Sequence, residues 1–304
     1  MISEKLKGGI YIALGASSYG MVPTFVKMAY REGFSTAEVT VSQYVFGILG
    51  LLLLNMFRKK TATTTIVAKS KTVFMLMLAG TSLGLTSAFL YLAVQYVSVG
   101  VGIVLLMQAV WMGVIVEMVI HKRLPGSRKL FAVVIILGGT VLATAVGQEN
   151  TRVNGAGIGW GLLAAISYTA TMFSSNRIGL QFPPLNRSLF MISGGLIITL
   201  LIFHAHLNQD FSLSIFLRWG IFLSLFGTIL PPIFLTLGMP RTGVGLGAII
   251  ASLEIPVSVL MAFVLIDEPV SNSQWTGVIL IMLAVVILNI GESVVKYLHR
   301  LFMS

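Results

Sequence analysis

From Thr242 to Ile266 the chain carries a single charged side chain, Glu254. A stretch of that length and composition is a helix able to cross a bilayer core of about 30 Å, because hydrocarbon offers backbone N–H and C=O groups no partner but one another. A second apolar stretch, about 274–294, follows after the polar turn Asp267, Glu268, Pro269. Eight earlier ones complete a series at about 8–29, 36–57, 72–94, 98–120, 129–147, 157–179, 186–207 and 217–239. The 304 residues are 56% hydrophobic and 10% charged, where a soluble domain has roughly 25% charged. The expectation is an all-α membrane protein of ten transmembrane helices with little room for a soluble domain.

The net charge of +10 raises the question of a nucleic-acid partner, and its distribution answers it. With both termini placed in the cytoplasm, every Lys and Arg except Lys27, Arg31, Arg152 and Arg218 falls on the inner side. That is the positive-inside bias of a polytopic protein, and no nucleic acid is implied. Trp160, Trp219 and Trp275 begin helices at the outer surface, where an aromatic belt belongs, while Trp111 lies at mid-depth. The first segment runs too long for a secretory signal, carries Pro23 and Lys27 and shows no small-residue cleavage site, so it reads as a retained helix. Cysteine is absent, which excludes disulfide and thiolate chemistry.

The chain also repeats itself. Ser18 and Tyr19 in the first helix align with Ser167 and Tyr168 in the sixth, and the segment from Val101 to Thr144 aligns with the last two helices, setting Gln108 opposite Glu254 and Lys122 opposite Glu268. Five helices per half is an odd number, so the second half inserts upside down: a 5+5 inverted repeat, whose substrate site lies near the midplane between the halves. The halves are 1–147 and 157–304, joined through the polar run Gly147 to Gly157 and acting as one functional unit.

Three short motifs occur in order: the spacing from Gly20 to Lys27, the sequence LEIP at Leu253 to Pro256, and DEPVS at Asp267 to Ser271. In these and in its two halves the chain resembles the bacterial inner-membrane transporters of the drug/metabolite transporter superfamily, EamA type. The resemblance covers nearly the whole chain and implies a ten-helix bundle moving small organic metabolites, most often outward, with no cofactor. It departs from the family pattern twice. Gln43 stands where the second helix usually carries Arg, and Val110, near Gln108, stands where the fourth has proline. The substrate carboxylate that such an arginine would hold is therefore not implied here.

Glu254 leads the candidate residues, as a proton carrier or as the partner of a substrate cation. The alternative is a neutral, hydrogen-bonded carboxyl between helices, since an unpaired charge at that depth is costly. Gly243, Gly247, Ala251, Glu254 and Ser258 share one helical arc, and Pro256 is expected to free the Ser252 carbonyl for a ligand. Gln108 and Trp111 share a face of the fourth helix, as an amide and an aromatic wall or as packing. Tyr19 and Tyr168 are repeat mates. Lys27 continues the Tyr19 and Pro23 face outward and either lines the pathway or snorkels to headgroups. Glu117 is expected to pair with His121. Helix breaks are expected at Pro23, Pro231, Pro232 and Pro256.

GTSLG at Gly80 to Gly84 has the G-x-S-x-G form of a hydrolase elbow but sits inside an apolar helix. An intramembrane, rhomboid-like enzyme using Ser82 and His204 is the reading from another class. His204 and His206 are too isolated for a metal site. The expectation is a non-enzymatic secondary transporter in the bacterial cytoplasmic membrane, as monomer or homodimer. It would export a small metabolite such as an amino acid by alternating access, or export cationic drugs coupled to protons.

Overall fold

The structure, a computed structural model, describes residues 3–57, 70–97, 99–143, 154–207, 211–267 and 269–286, and among these every regular element is helical. In order they are α1 (Glu4–Arg31), α2 (Thr36–Phe57), α3 (Ser70–Tyr96), α4 (Val99–Leu106), α5 (Ala109–His121), α6 (Ser127–Ala143), α7 (Gly155–Arg177), α8 (Pro184–Phe203), α9 (Ile221–Ser224), α10 (Leu230–Thr242), α11 (Val244–Ala251) and α12 (Glu254–Ile266). A last apolar helix, α13, spans Asn272–Val286. Among the described residues eight passes are long and apolar enough to cross a membrane, with α4 and α5, the run Phe216–Thr242, and α11 and α12 each counted as one. α6, at 17 residues, and α13 are shorter. Glu268 and most of the junction from Gly147 lie outside the described residues.

Large apolar side chains such as Leu53, Phe57, Phe74, Leu78, Val119, Val134 and Leu201 are exposed on the outside of the bundle, as suits a lipid-facing surface. Inside, helices meet through small residues. Added Cβ atoms at Gly80 and Gly194 would run into the carbonyls of Met191 and Met77, so α3 and α8 cross almost backbone to backbone.

The packing repeats when the halves are exchanged. α3 lies against α7 and α8; correspondingly, the run 216–242 lies against α1 and α2. α1 packs on α12 as α7 packs on α4 and α5, while α2 with α8 and α5 with α11 join corresponding members across the middle. This two-repeat arrangement fits an inverted repeat.

Prolines shape the bundle differently from the expectation. α1 runs through Pro23 without interruption. Pro231 and Pro232 instead sit in the first turn of α10, behind a π-helical turn at Leu225–Ile229. Pro231 cannot donate, which leaves the Phe226 carbonyl open in the widened register. The Ser18 hydroxyl of α1 donates to it at 3.0 Å.

A fourth proline, Pro240 inside α10, removes the N–H that would have bonded the carbonyl of Thr236. Arg187 supplies the replacement. Its side chain, counted above among the inner-side charges, is 2% exposed. It donates to the carbonyls of Thr236 at 2.9 Å, Ser175 at 2.6 Å and Ile178 at 3.0 Å. The last two belong to the end of α7, where backbone acceptors run out of backbone donors. At the opposite end of the bundle Glu38, 5% exposed, accepts from the Ser35 and Ser212 amides at 2.6 and 2.7 Å, fixing the start of α2 to the segment that leads into Phe216.

Candidate functional site

Two helices break, at corresponding places in the two halves. In the first half α4 ends at Leu106 and α5 begins at Ala109, although no proline is present. Gln108 makes this break itself: its side-chain amide donates to the Val104 carbonyl at 3.0 Å while its backbone N–H turns to Leu105 at 3.1 Å, an instance of a side chain competing with the backbone ladder. In the second half α11 ends at Ala251 and α12 begins at Glu254. There Pro256 offers no N–H, and the Ser252 carbonyl accepts from Ile255 at 3.1 Å. That carbonyl therefore keeps one backbone partner despite the proline. The expected continuous arc from Gly243 to Ser258 is divided between two half-helices.

Glu254 thus opens a half-helix. It is 3% exposed, and the Tyr168 hydroxyl is its hydrogen-bonding neighbour. Its Oε2 has no partner. Tyr168 stacks on its repeat mate Tyr19, with ring centroids 6.2 Å apart and planes at 24°. The next residue, Gly20, lies so close to Glu254 that an added Cβ would strike the Glu254 carbonyl, so only glycine allows α1 this approach.

Around the two tyrosines the structure gathers side chains that the sequence did not single out. Tyr44 and Ser87 share a hydrogen bond at 3.3 Å, and Tyr91 donates to Gln43 Oε1 at 3.3 Å. Gln43 is fully buried and its Nε2 has no partner; that amide faces Gly227, where a Cβ would collide with it. The site therefore holds one orphaned donor, Gln43 Nε2, and one orphaned acceptor, Glu254 Oε2, inside a layer of hydroxyls. The signal that could have found Ser87 and Tyr91 is their spacing of one turn on α3.

Other candidates are placed differently. Trp111 Nε1 donates to Gln108 Oε1 at 2.8 Å, so these two half-buried side chains satisfy each other. Lys27 is half-buried on α1, about 12 Å of helix rise beyond Tyr19. Glu117 pairs with Lys129 at 2.7 Å, not with His121, whose Nδ1 meets the Glu117 carbonyl at 3.0 Å. The hydrolase pattern assembles no catalytic pair. Ser82 Oγ bonds Ala79 and Thr171, and His204 is exposed at the end of α8 against the Leu201 carbonyl.

Paired helix breaks at matching positions of two halves are a hallmark of transporter sites, and the sequence profile of the EamA-like transporter family matches twice, over residues 6–145 and 155–290. The chain belongs to the EamA-like transporter family. It is thus a multi-pass membrane transporter acting on a small molecule within the lipid. No curated protein matches it significantly. A solved crystal structure, 12% identical, covers 92% of this chain and 96% of its own with a TM-score of 0.76, a likeness of fold alone.

Proposed function

We propose that this EamA-like protein is a secondary transporter that exports a small organic metabolite, such as an amino acid or a related compound, by alternating access of its halves 1–147 and 157–304. The reading includes ten crossings, both termini in the cytoplasm and placement in a bacterial cytoplasmic membrane. The observation that carries it is Glu254: a carboxyl at the start of a half-helix, buried, with one oxygen unpartnered. An unsatisfied buried acceptor costs about 1–3 kcal/mol, a cost that a bound ligand or proton relieves. Gln108, Trp111, Tyr19, Tyr168, Gln43 and Lys27 are assigned to the same pathway.

The second reading, proton-coupled export of cationic compounds, is favoured by Gln43. A neutral amide in place of arginine leaves Glu254 as the charged partner within this layer and provides no cation for a substrate carboxylate. Purified protein in proteoliposomes, tested with amino acids, organic cations and sugars with and without a pH gradient, separates the two. Glu254→Gln keeps shape and hydrogen-bonding reach but removes the titratable charge. The variant is expected to insert and fold yet lose pH-dependent transport. Wild-type rates with an unchanged pH profile would falsify the assignment.

A further inference from the structure

At the end of the bundle that carries Lys122, Arg123, Arg128 and Lys129, one ion pair joins three elements. Glu117 of α5 and Lys129 of α6 meet at 2.7 Å with both side chains 23% exposed. The Glu117 carboxylate also lies on the first turn of α11. A Cβ at Gly245 would overlap its Oε2, and its Oε1 lies 3.6 Å from where a Cβ would stand on Gly243, the residue at φ +84° that begins this half-helix. The first turn of a helix carries partial positive charge, so a carboxylate packed against it is attracted electrostatically to the other half. A cavity of about 460 Å³ opens beside the pair, lined also by Val114, Met118, His121 and Pro125. It leaves room for the carboxylate to withdraw.

The other half lacks this arrangement. The register that sets Gln108 opposite Glu254 sets Glu117 opposite Phe263 and Lys129 opposite Trp275, and those two pack edge to face with centroids 5.9 Å apart at 78°. One hairpin end is therefore closed by apolar contact and its repeat mate by charge. From this asymmetry we infer that Glu117, held in place by Lys129, is an ionic latch that closes the inner end of the pathway by seating on α11, and that opening to the cytoplasm begins when this seat is lost.

The inference rests on the alternating-access reading, yet its test measures closure and not transport, so each can fail alone. The chain has no cysteine, and Val244, 2% exposed, faces Gly113 across the α5 and α11 contact. Val244→Cys therefore reports separation of these helices through reaction with a membrane-impermeant maleimide in inside-out vesicles. Adding Glu117→Gln should speed labelling by roughly threefold to tenfold, the range expected for losing a partly buried charge at a helix terminus. The exchange Glu117→Lys with Lys129→Glu restores attraction within the hairpin but puts a cation against the positive end of α11, so labelling should stay fast. Gly245→Ala, which displaces the carboxylate and alters no charge, should act like Glu117→Gln and serves if that variant does not fold. Unchanged labelling in Glu117→Gln or in Gly245→Ala, or wild-type labelling in the charge exchange, would overturn the latch.

Discussion

Arg187 tests whether a buried cation can be held by backbone carbonyls that prolines and helix ends have left without donors. Replacing it with Met removes three donors and preserves much of the volume. The carbonyls of Thr236, Ser175 and Ile178 then lose their bonds of 2.9, 2.6 and 3.0 Å. At about 1–3 kcal/mol for each unsatisfied group, the loss sums to roughly 5 kcal/mol, and relief from no longer burying a cation returns part of it. A net destabilisation of about 3 kcal/mol is expected, read from reversible unfolding in mixed micelles with rising SDS. Pro240→Ala returns the missing N–H to the Thr236 carbonyl, so Arg187→Met should cost about 1–2 kcal/mol less in that background. A cost for Arg187→Met below about 1 kcal/mol, or no coupling to Pro240→Ala, would refute the account.

Gly20→Ala forces a methyl into the Glu254 carbonyl and should destabilise the α1 and α12 contact by about 1–3 kcal/mol, with transport falling alongside; a neutral result in unfolding would remove the close approach as a constraint. Tyr168→Phe takes away the hydroxyl beside Glu254 and keeps the stack on Tyr19, so binding and pH response should change, and the further acceptor left unsatisfied should cost about 1–3 kcal/mol of stability. Unaltered transport would exclude Tyr168 from the site. Reporter fusions after Lys60, Arg128 and Ser304 are expected in the cytoplasm and those near Asn150 and Ser271 outside. A periplasmic C-terminus would contradict the ten-crossing reading.

Chemistry that acts through composition and local spacing was legible in the sequence. Apolar length placed the helices, since hydrocarbon forces backbone groups to bond within each segment. The order of Tyr19, Gln108, Tyr168 and Glu254 exposed the repeat, whose mates then meet as a stacked tyrosine pair and as two helix breaks. What a side chain bonds across the bundle was not legible, because such partners lie far apart in the chain. Pro23 and Pro231 have the same local effect, the loss of one donor. Yet α1 continues through the first, while the second follows a π-helical turn whose Phe226 carbonyl is completed by Ser18. Gln108 breaks its helix without proline by bonding back onto Val104. Glu117 chose Lys129 over His121, because the α5 and α6 hairpin brings that ammonium to the carboxylate while the His121 ring turns to a backbone carbonyl. By itself the sequence determined the helices, the repeat and the place of Glu254 as the single charge in an apolar stretch. Only the tertiary structure decided which polar atoms are satisfied and which, like Gln43 Nε2 and Glu254 Oε2, are left without a partner, since hydrogen bonding is settled by three-dimensional proximity and not by position along the chain.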